Sequence, residues 1–197
     1  MDERIASTPP IATAAARAAH RTIRQIARGV VPELADFAVV FMVTGRSIVG
    51  IASAHVSPAG DRLLRALQRV YHIRRDDLHS TVAQVVRTGQ PSLRRTILRE
   101  TEAHPRPGSV ADLHRRLACR SALVLPIRVG NTVTGVVSLC YADSGRTYAA
   151  SDLAYARRIA HDIERTPPLL NATPRLSAAT GDPRRHPTVR RRVAARN

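Results

Sequence analysis

The residues that could carry out chemistry are scattered along this sequence. The eight histidines stand singly, and the two cysteines, Cys119 and Cys140, form no Cys-x-x-Cys pair. A structural zinc site needs such ligands at close spacing, and a phosphate-binding loop needs glycines clustered at the start of a helix. The ten glycines are instead spread through turn-like stretches. We therefore predict no metal site and no nucleotide loop, and we expect no enzymatic activity.

Two smaller groups each allow a chemical and a structural interpretation. Asp76 and Asp77 with His79 could be an acid/base cluster, but carboxylates at the entrance of a helix are better explained by the helix dipole. Cys119 beside Arg120 could have a lowered thiol pKa, as in a redox sensor. We favour the alternative for this cysteine, a half-buried thiol at the start of a strand.

The positive charge is concentrated at the C-terminus. All 31 basic residues are arginine, and arginines outnumber acids by five to three in residues 1–35, 19 to 11 in residues 36–166 and seven to one in residues 167–197. The last segment also has five prolines and no periodicity, which predicts a disordered tail. An alternative function is therefore nucleic-acid association through the tail, because arginines bind phosphates without sequence preference. The candidate contacts are Arg184, Arg185, Arg190, Arg191 and Arg192.

No segment resembles a membrane span or a secretory signal. The longest apolar run, Phe37 to Val43, is far shorter than the roughly 20 residues that cross a bilayer. The N-terminus starts Met1-Asp2-Glu3-Arg4 and lacks an apolar signal core. We expect a cytoplasmic protein with no membrane partner.

The periodicity of apolar residues predicts an α+β fold. Two hairpins with turns at Gly45 and Gly130 indicate an antiparallel sheet, and no βαβ repeat is visible. Ser57 and Ser151 are predicted helix N-caps, and Pro126 should face an edge or a bulge. The predicted helices are 11–30, one that begins at residue 57, 79–87, 110–117 and one that begins at residue 151; the strands are 37–43, 48–56, 121–129 and 133–141.

The first and last helices predict a homodimer. Ile23, Ile26 and Val30 form a narrow apolar stripe that a monomer would leave partly exposed, and the helix from Ser151 to Glu164 offers a similar stripe. Pairing of these helices between two subunits would bury both stripes.

Three stretches together resemble the GAF domain. They are Val85 to Pro91 (VVRTGQP), Arg120 to Ile127 (RSALVLPI), and Ser144 to Ala154, which contains SGRTY and SDLA. The form found in sensor histidine kinases of high-GC bacteria, and in PP2C-type phosphatases of the sporulation and anti-sigma class, is the most similar. The resemblance covers residues 15–166, which leaves residues 1–14 as an extension and residues 167–197 as the arginine- and proline-rich tail.

The resemblance implies a sheet of about six antiparallel strands, flanking helices, and a small-molecule pocket over one face. It implies a sensory or scaffolding module without catalysis, which binds an unknown small molecule or a signalling kinase, phosphatase or regulator. Cyclic nucleotides are disfavoured because the chain has no lysine for their signature, and no cysteine corresponds to the bilin attachment site. No cofactor can be named. The candidate ligand-binding residues are Tyr71, His72, His79, Cys119, Ser121 and Leu123.

Overall fold

A computed structural model describes residues 10–97 and 106–166, with side chains described from residue 17 onward. Residues 1–9 of the predicted N-terminal extension therefore lie outside the described residues, and residues 10–14 belong to the first helix. The predicted disordered tail and its five candidate nucleic-acid contacts, Arg184, Arg185, Arg190, Arg191 and Arg192, lie outside the described residues entirely.

The described residues form an α+β fold with five helices around one antiparallel sheet. The sheet has six strands in the order β3-β2-β1-β6-β5-β4. The helices are α1 (Pro10–Gly29), α2 (Pro58–Val70), α3 (Thr81–Thr88), α4 (Val110–Leu117) and α5 (Asp152–Glu164). The strands are β1 (Phe37–Thr44), β2 (Ser47–His55), β3 (His72–Arg74), β4 (Ser92–Arg94), β5 (Ser121–Val129) and β6 (Thr132–Tyr141).

Both faces of the sheet are covered by helices. The strands alternate, so that Leu123 and Leu125 of β5 belong to the core under α1 and α5, whereas Ala122 and Val124 belong to the core under α2, α3 and α4. Because β5 carries apolar side chains on both faces, its sequence is a nearly continuous apolar run.

Two of the predicted local features are confirmed and one is wrong. Ser57 caps α2, because its Oγ accepts a hydrogen bond from the N–H of Gly60 at 3.1 Å. Pro126 lies on β5 where only β6 is paired, so its missing N–H costs no ladder bond. Ser151 makes no side-chain cap on α5. At this end of α5 the carboxylate of Asp152 instead accepts a hydrogen bond from the N–H of Ala149, in the turn before the helix, at 2.8 Å.

The reason given for a homodimer seam is also wrong. Ile23 and Val30 are only 1% and 2% exposed because α1 packs them on its own sheet, and Ile26 is partly buried against the same core. The apolar stripe is therefore already buried within one subunit. The homodimer itself stays a prediction, without this stripe as its support.

The two outer strands are short and leave part of each neighbouring strand unpaired. β3 pairs with β2 only at Ser47–Val49, and β4 pairs with β5 only at Ala122–Val124. Within the described residues, β2 after Val49 and β5 after Val124 therefore have no strand on their outer side. We call these segments the free edge of β2 and the free edge of β5.

In the described part of the chain, every helix is too short or too polar to cross a bilayer.

Candidate functional site

The six predicted ligand-binding residues are not brought together. Ser121 and Leu123 are fully buried on the side of α1 and α5, where the hydroxyl of Ser121 donates to the carbonyl of Arg94 at 2.9 Å and accepts from the N–H of Tyr148 at 3.0 Å. Tyr71 and Cys119 pack on the opposite core, and His72 and His79 are exposed at the surface. The sheet separates the two groups.

The face under α2, α3 and α4 is occupied by apolar side chains. Tyr71 closes this core at one end, where its ring meets the ring of His114 edge-on at 4.9 Å between centroids. Burial raises the pKa of the half-buried Tyr71. The buried members of this core include Phe37, Phe41, Leu64, Leu67, Ile73, Leu113 and Leu117.

Cys119 does not have the lowered pKa that a redox sensor requires. A hydrogen bond with the thiol of Cys140, together with burial, raises the pKa of the Cys119 thiol. Its Sγ also lies 3.5 Å from the carbonyl oxygen of Ser121. The redox-sensor hypothesis is therefore wrong on this point, and the half-buried structural thiol is what the structure shows.

The acidic pair before α3 is structural as well. Both carboxylate oxygens of Asp76 bind the guanidinium of Arg74, at 2.9 and 2.6 Å. One oxygen of Asp77 accepts from the N–H groups of His79 and Ser80, at 2.9 and 3.3 Å, just before α3 begins. These contacts order the loop before α3. Among the described residues, no three His, Cys, Asp or Glu side chains could jointly hold a metal ion.

An open cavity lies along the free edge of β2. It has a volume of about 590 Å³, and we call it the basic groove. α1 lies on one face of the sheet and α2 on the other, and their side chains meet around the uncovered edge. The groove is lined by Arg17, His20, Arg21 and Arg24 of α1, by residues 51–53 of β2, and by Arg65 and Gln68 of α2.

The carboxylate of Asp61 links the two helices next to the groove. It accepts from Arg28 of α1 at 2.9 Å and lies 3.8 Å from Arg65 of α2. Its other oxygen accepts the backbone N–H of His55 on β2 at 2.9 Å. Within the described residues, Arg17, Arg21 and Arg24 have no acidic side chain within 4.0 Å.

Another open cavity, of about 270 Å³, lies along the free edge of β5. Glu164 of α5 accepts the backbone N–H of Arg128 at 2.7 Å. The guanidinium of Arg128 in turn donates to the carbonyl of Gly89 at 2.8 Å. The polar groups of Arg128 at this edge therefore already have hydrogen-bond partners within the chain.

The SGRTY stretch builds a structural hub. Tyr148 is 1% exposed, stacks on Tyr141 at 4.3 Å between ring centroids, and donates its hydroxyl to the carbonyl of Leu34 at 2.7 Å. Arg146 lies over the ring of Tyr141 at 4.4 Å and donates to the carbonyl oxygens of Pro32 and Glu33. The motif thus ties the segment after α1 to the segment after β6.

Asp36 belongs to the same hub and should make stability depend on pH. Burial alone would raise its pKa, but hydrogen bonds from the N–H groups of Ala142 (2.7 Å) and Ser144 (3.0 Å) hold the pKa of Asp36 below its usual value. Its contribution is therefore fully present well above the ordinary pKa of 3.8 and is lost as the pH falls through the lowered value.

We predict that Asp36→Asn lowers the free energy of unfolding by about 1–2 kcal/mol at pH 7, because the N–H groups of Ala142 and Ser144 both donate to Oδ2 and lose the negative charge that strengthens these bonds. The difference from wild type should shrink at pH 3. Urea unfolding at both pH values measures it. Asp143→Asn, at an exposed neighbouring carboxyl, is the control and should change little. An Asp36→Asn deficit equal at both pH values would contradict the prediction.

One signal in the sequence could have indicated the basic groove. Arg17, Arg21, Arg24 and Arg28 are spaced by four, three and four residues, which places them along one side of α1. Their convergence with Arg65 and Gln68 could not be read from the sequence, because α2 reaches the groove from the other face of the sheet.

A family model described as GAF domain matches residues 16–166. No curated protein is detectably similar in sequence. The fold is similar to that of the GAF domain region of a putative membrane protein from Geobacter sulfurreducens PCA, with a TM-score of 0.56 and 12% identity over 79% of this chain and 96% of that chain.

Two further solved structures share the fold. The second GAF domain of DevS from Mycobacterium smegmatis has a TM-score of 0.52 and 19% identity, over 74% of this chain and 90% of that one. A type II free methionine-R-sulfoxide reductase from Thermoplasma acidophilum has a TM-score of 0.56 and 11% identity, over 80% and 96%. At these identities the likeness extends to the fold alone.

Proposed function

Because the chain belongs to the GAF domain family, we propose that it is a non-catalytic sensory or scaffolding module of bacterial signal transduction. It binds a small molecule or a partner protein in the cytoplasm and passes a conformational bias to an output protein. That output is a signalling kinase, phosphatase or regulator, in keeping with the sequence resemblance to GAF domains of sensor kinases and PP2C-type phosphatases.

The observation that carries this proposal is the basic groove. A cavity of about 590 Å³ has the size of a small-molecule site, and its two walls come from helices on opposite faces of the sheet. A ligand in the groove would contact both α1 and α2. It would therefore favour one relative position of these helices, which is how binding biases an equilibrium between conformations.

A ligand screen by thermal unfolding of the full chain tests the proposal. We expect at least one metabolite of a broad panel to stabilise the protein, by about 2.7 kcal/mol at a hundredfold excess over its dissociation constant. Each compound is compared with a blank of equal ionic strength, because a protein with a formal charge of +16 responds to salt. The proposal fails if the panel gives no stabilisation and immobilised full chain retains no kinase, phosphatase or regulator from a bacterial extract.

A further inference from the structure

Three arginines of α1 face the basic groove without acidic partners among the described residues. Arg17, Arg21 and Arg24 lie on successive turns, and at 1.5 Å per residue their Cα atoms span about 10 Å. Guanidinium groups in such a row repel one another, and an anion placed between them relieves that repulsion. Arginine is also the side chain best shaped to bind carboxylate or phosphate through two parallel hydrogen bonds.

The floor of the groove adds one side-chain donor without an acceptor among the described residues, and a backbone N–H on the free edge of β2. Within the part of the chain that the structure describes, the buried Nε2 atom of Gln68 has no hydrogen-bond partner, while its Oε1 accepts from the hydroxyl of Ser53 at 3.3 Å. N–H groups alternate along an antiparallel strand. Because the N–H of His55 points away from β1 to Asp61, the N–H of Ser53, two residues earlier, also faces the free edge.

The protein already places carboxylates on both free edges. Asp61 accepts the N–H of His55 on the free edge of β2, and Glu164 accepts the N–H of Arg128 on the free edge of β5. In each case an arginine also belongs to the site. The basic groove has the same combination of edge donors and arginines, but none of its described lining residues carries a carboxylate.

We propose that the basic groove binds a small molecule that carries two or more phosphate or carboxylate groups. This inference rests on the proposed sensory function and names the chemical class of its ligand. One anionic group binds near Gln68 and Ser53, and another binds along the row of arginines. The volume of the groove, about 590 Å³, fits a small molecule, which favours a small molecule over a nucleic-acid strand.

Isothermal titration of the full chain with pyrophosphate, and separately with citrate, at physiological ionic strength tests the proposal. The groove variant Arg17→Gln/Arg21→Gln/Arg24→Gln should bind the active anion at least about tenfold more weakly than wild type. The tail variant Arg190→Gln/Arg191→Gln/Arg192→Gln removes the same charge elsewhere and should bind as wild type does. Binding of pyrophosphate alone identifies phosphate as the ligand group, and binding of citrate alone identifies carboxylate.

A variant that leaves the charge unchanged distinguishes specific hydrogen bonding in the groove from non-specific attraction to a positive surface. Gln68→Met keeps the length of the side chain and removes the unpartnered donor, so it should weaken binding severalfold without changing the charge of the protein. Unchanged affinity in Gln68→Met, equal losses in the groove and tail variants, or no binding of either anion would each overturn the proposal. A neutral metabolite that stabilises the protein while both anions fail would overturn this site and leave the sensory function standing.

Discussion

Replacing Tyr148 with alanine is expected to lower the free energy of unfolding by about 3–5 kcal/mol, the range for removing a buried aromatic ring. Tyr148 is almost fully buried, stacks on Tyr141, and binds the carbonyl of Leu34, 114 residues earlier in the chain. The substitution leaves a cavity between the sheet and α5 and an unpaired carbonyl group. Chemical denaturation monitored by circular dichroism measures the loss.

Tyr148→Phe is the matched control for this prediction. It keeps the ring and removes only the hydroxyl, so it should cost about 1–2 kcal/mol, the effect of leaving the Leu34 carbonyl without its donor. Equal losses for the two variants would show that the hydrogen bond alone matters, and the packing argument would then be wrong.

Gly135→Ala should destabilise the protein by about 3 kcal/mol, because the added methyl group has no space. A Cβ atom at this position would lie 2.4 Å from the backbone carbonyl oxygen of Phe41 and 2.8 Å from the sulfur of Met42. Gly135 sits in the middle of the sheet, where β6 pairs with both β1 and β5. Neither of these strands can move away without breaking ladder hydrogen bonds.

The same exchange at Gly29 provides the control. No atom lies within 4 Å of a Cβ placed there, and Gly29 ends α1. Alanine at this position should be neutral or stabilise the helix by up to about 1 kcal/mol. If thermal unfolding shows Gly135→Ala to be as stable as Gly29→Ala, the close contact with Phe41 does not exist in solution.

The fold was predictable where apolar residues repeat over a long stretch. The hairpins at β1–β2 and β5–β6 were visible because eight to ten residues of β-branched and aromatic character flank a glycine turn. β3 and β4 have three residues each, which is too few to show alternation. Their existence followed only from the resemblance to a six-stranded family.

The candidate site was much less predictable, for two physical reasons. β5 is apolar on both sides, so its alternation cannot tell which core Ser121 and Leu123 face, and both face away from Tyr71. The basic groove combines Arg21 of α1 with Gln68 of α2 across the edge of the sheet. That proximity depends on the shortness of β3, which no local pattern in the sequence encodes.

The two free edges also bear on how copies of this protein behave at high concentration. An unpaired strand edge is a template on which a second molecule can add a strand, and such growth leads to aggregates. Here the edge of β2 is flanked by arginines that repel an identical, equally charged edge, and the edge of β5 is blocked by Glu164. Each sheet is thereby kept from extending into the next molecule, by charge at one end and by a covering side chain at the other.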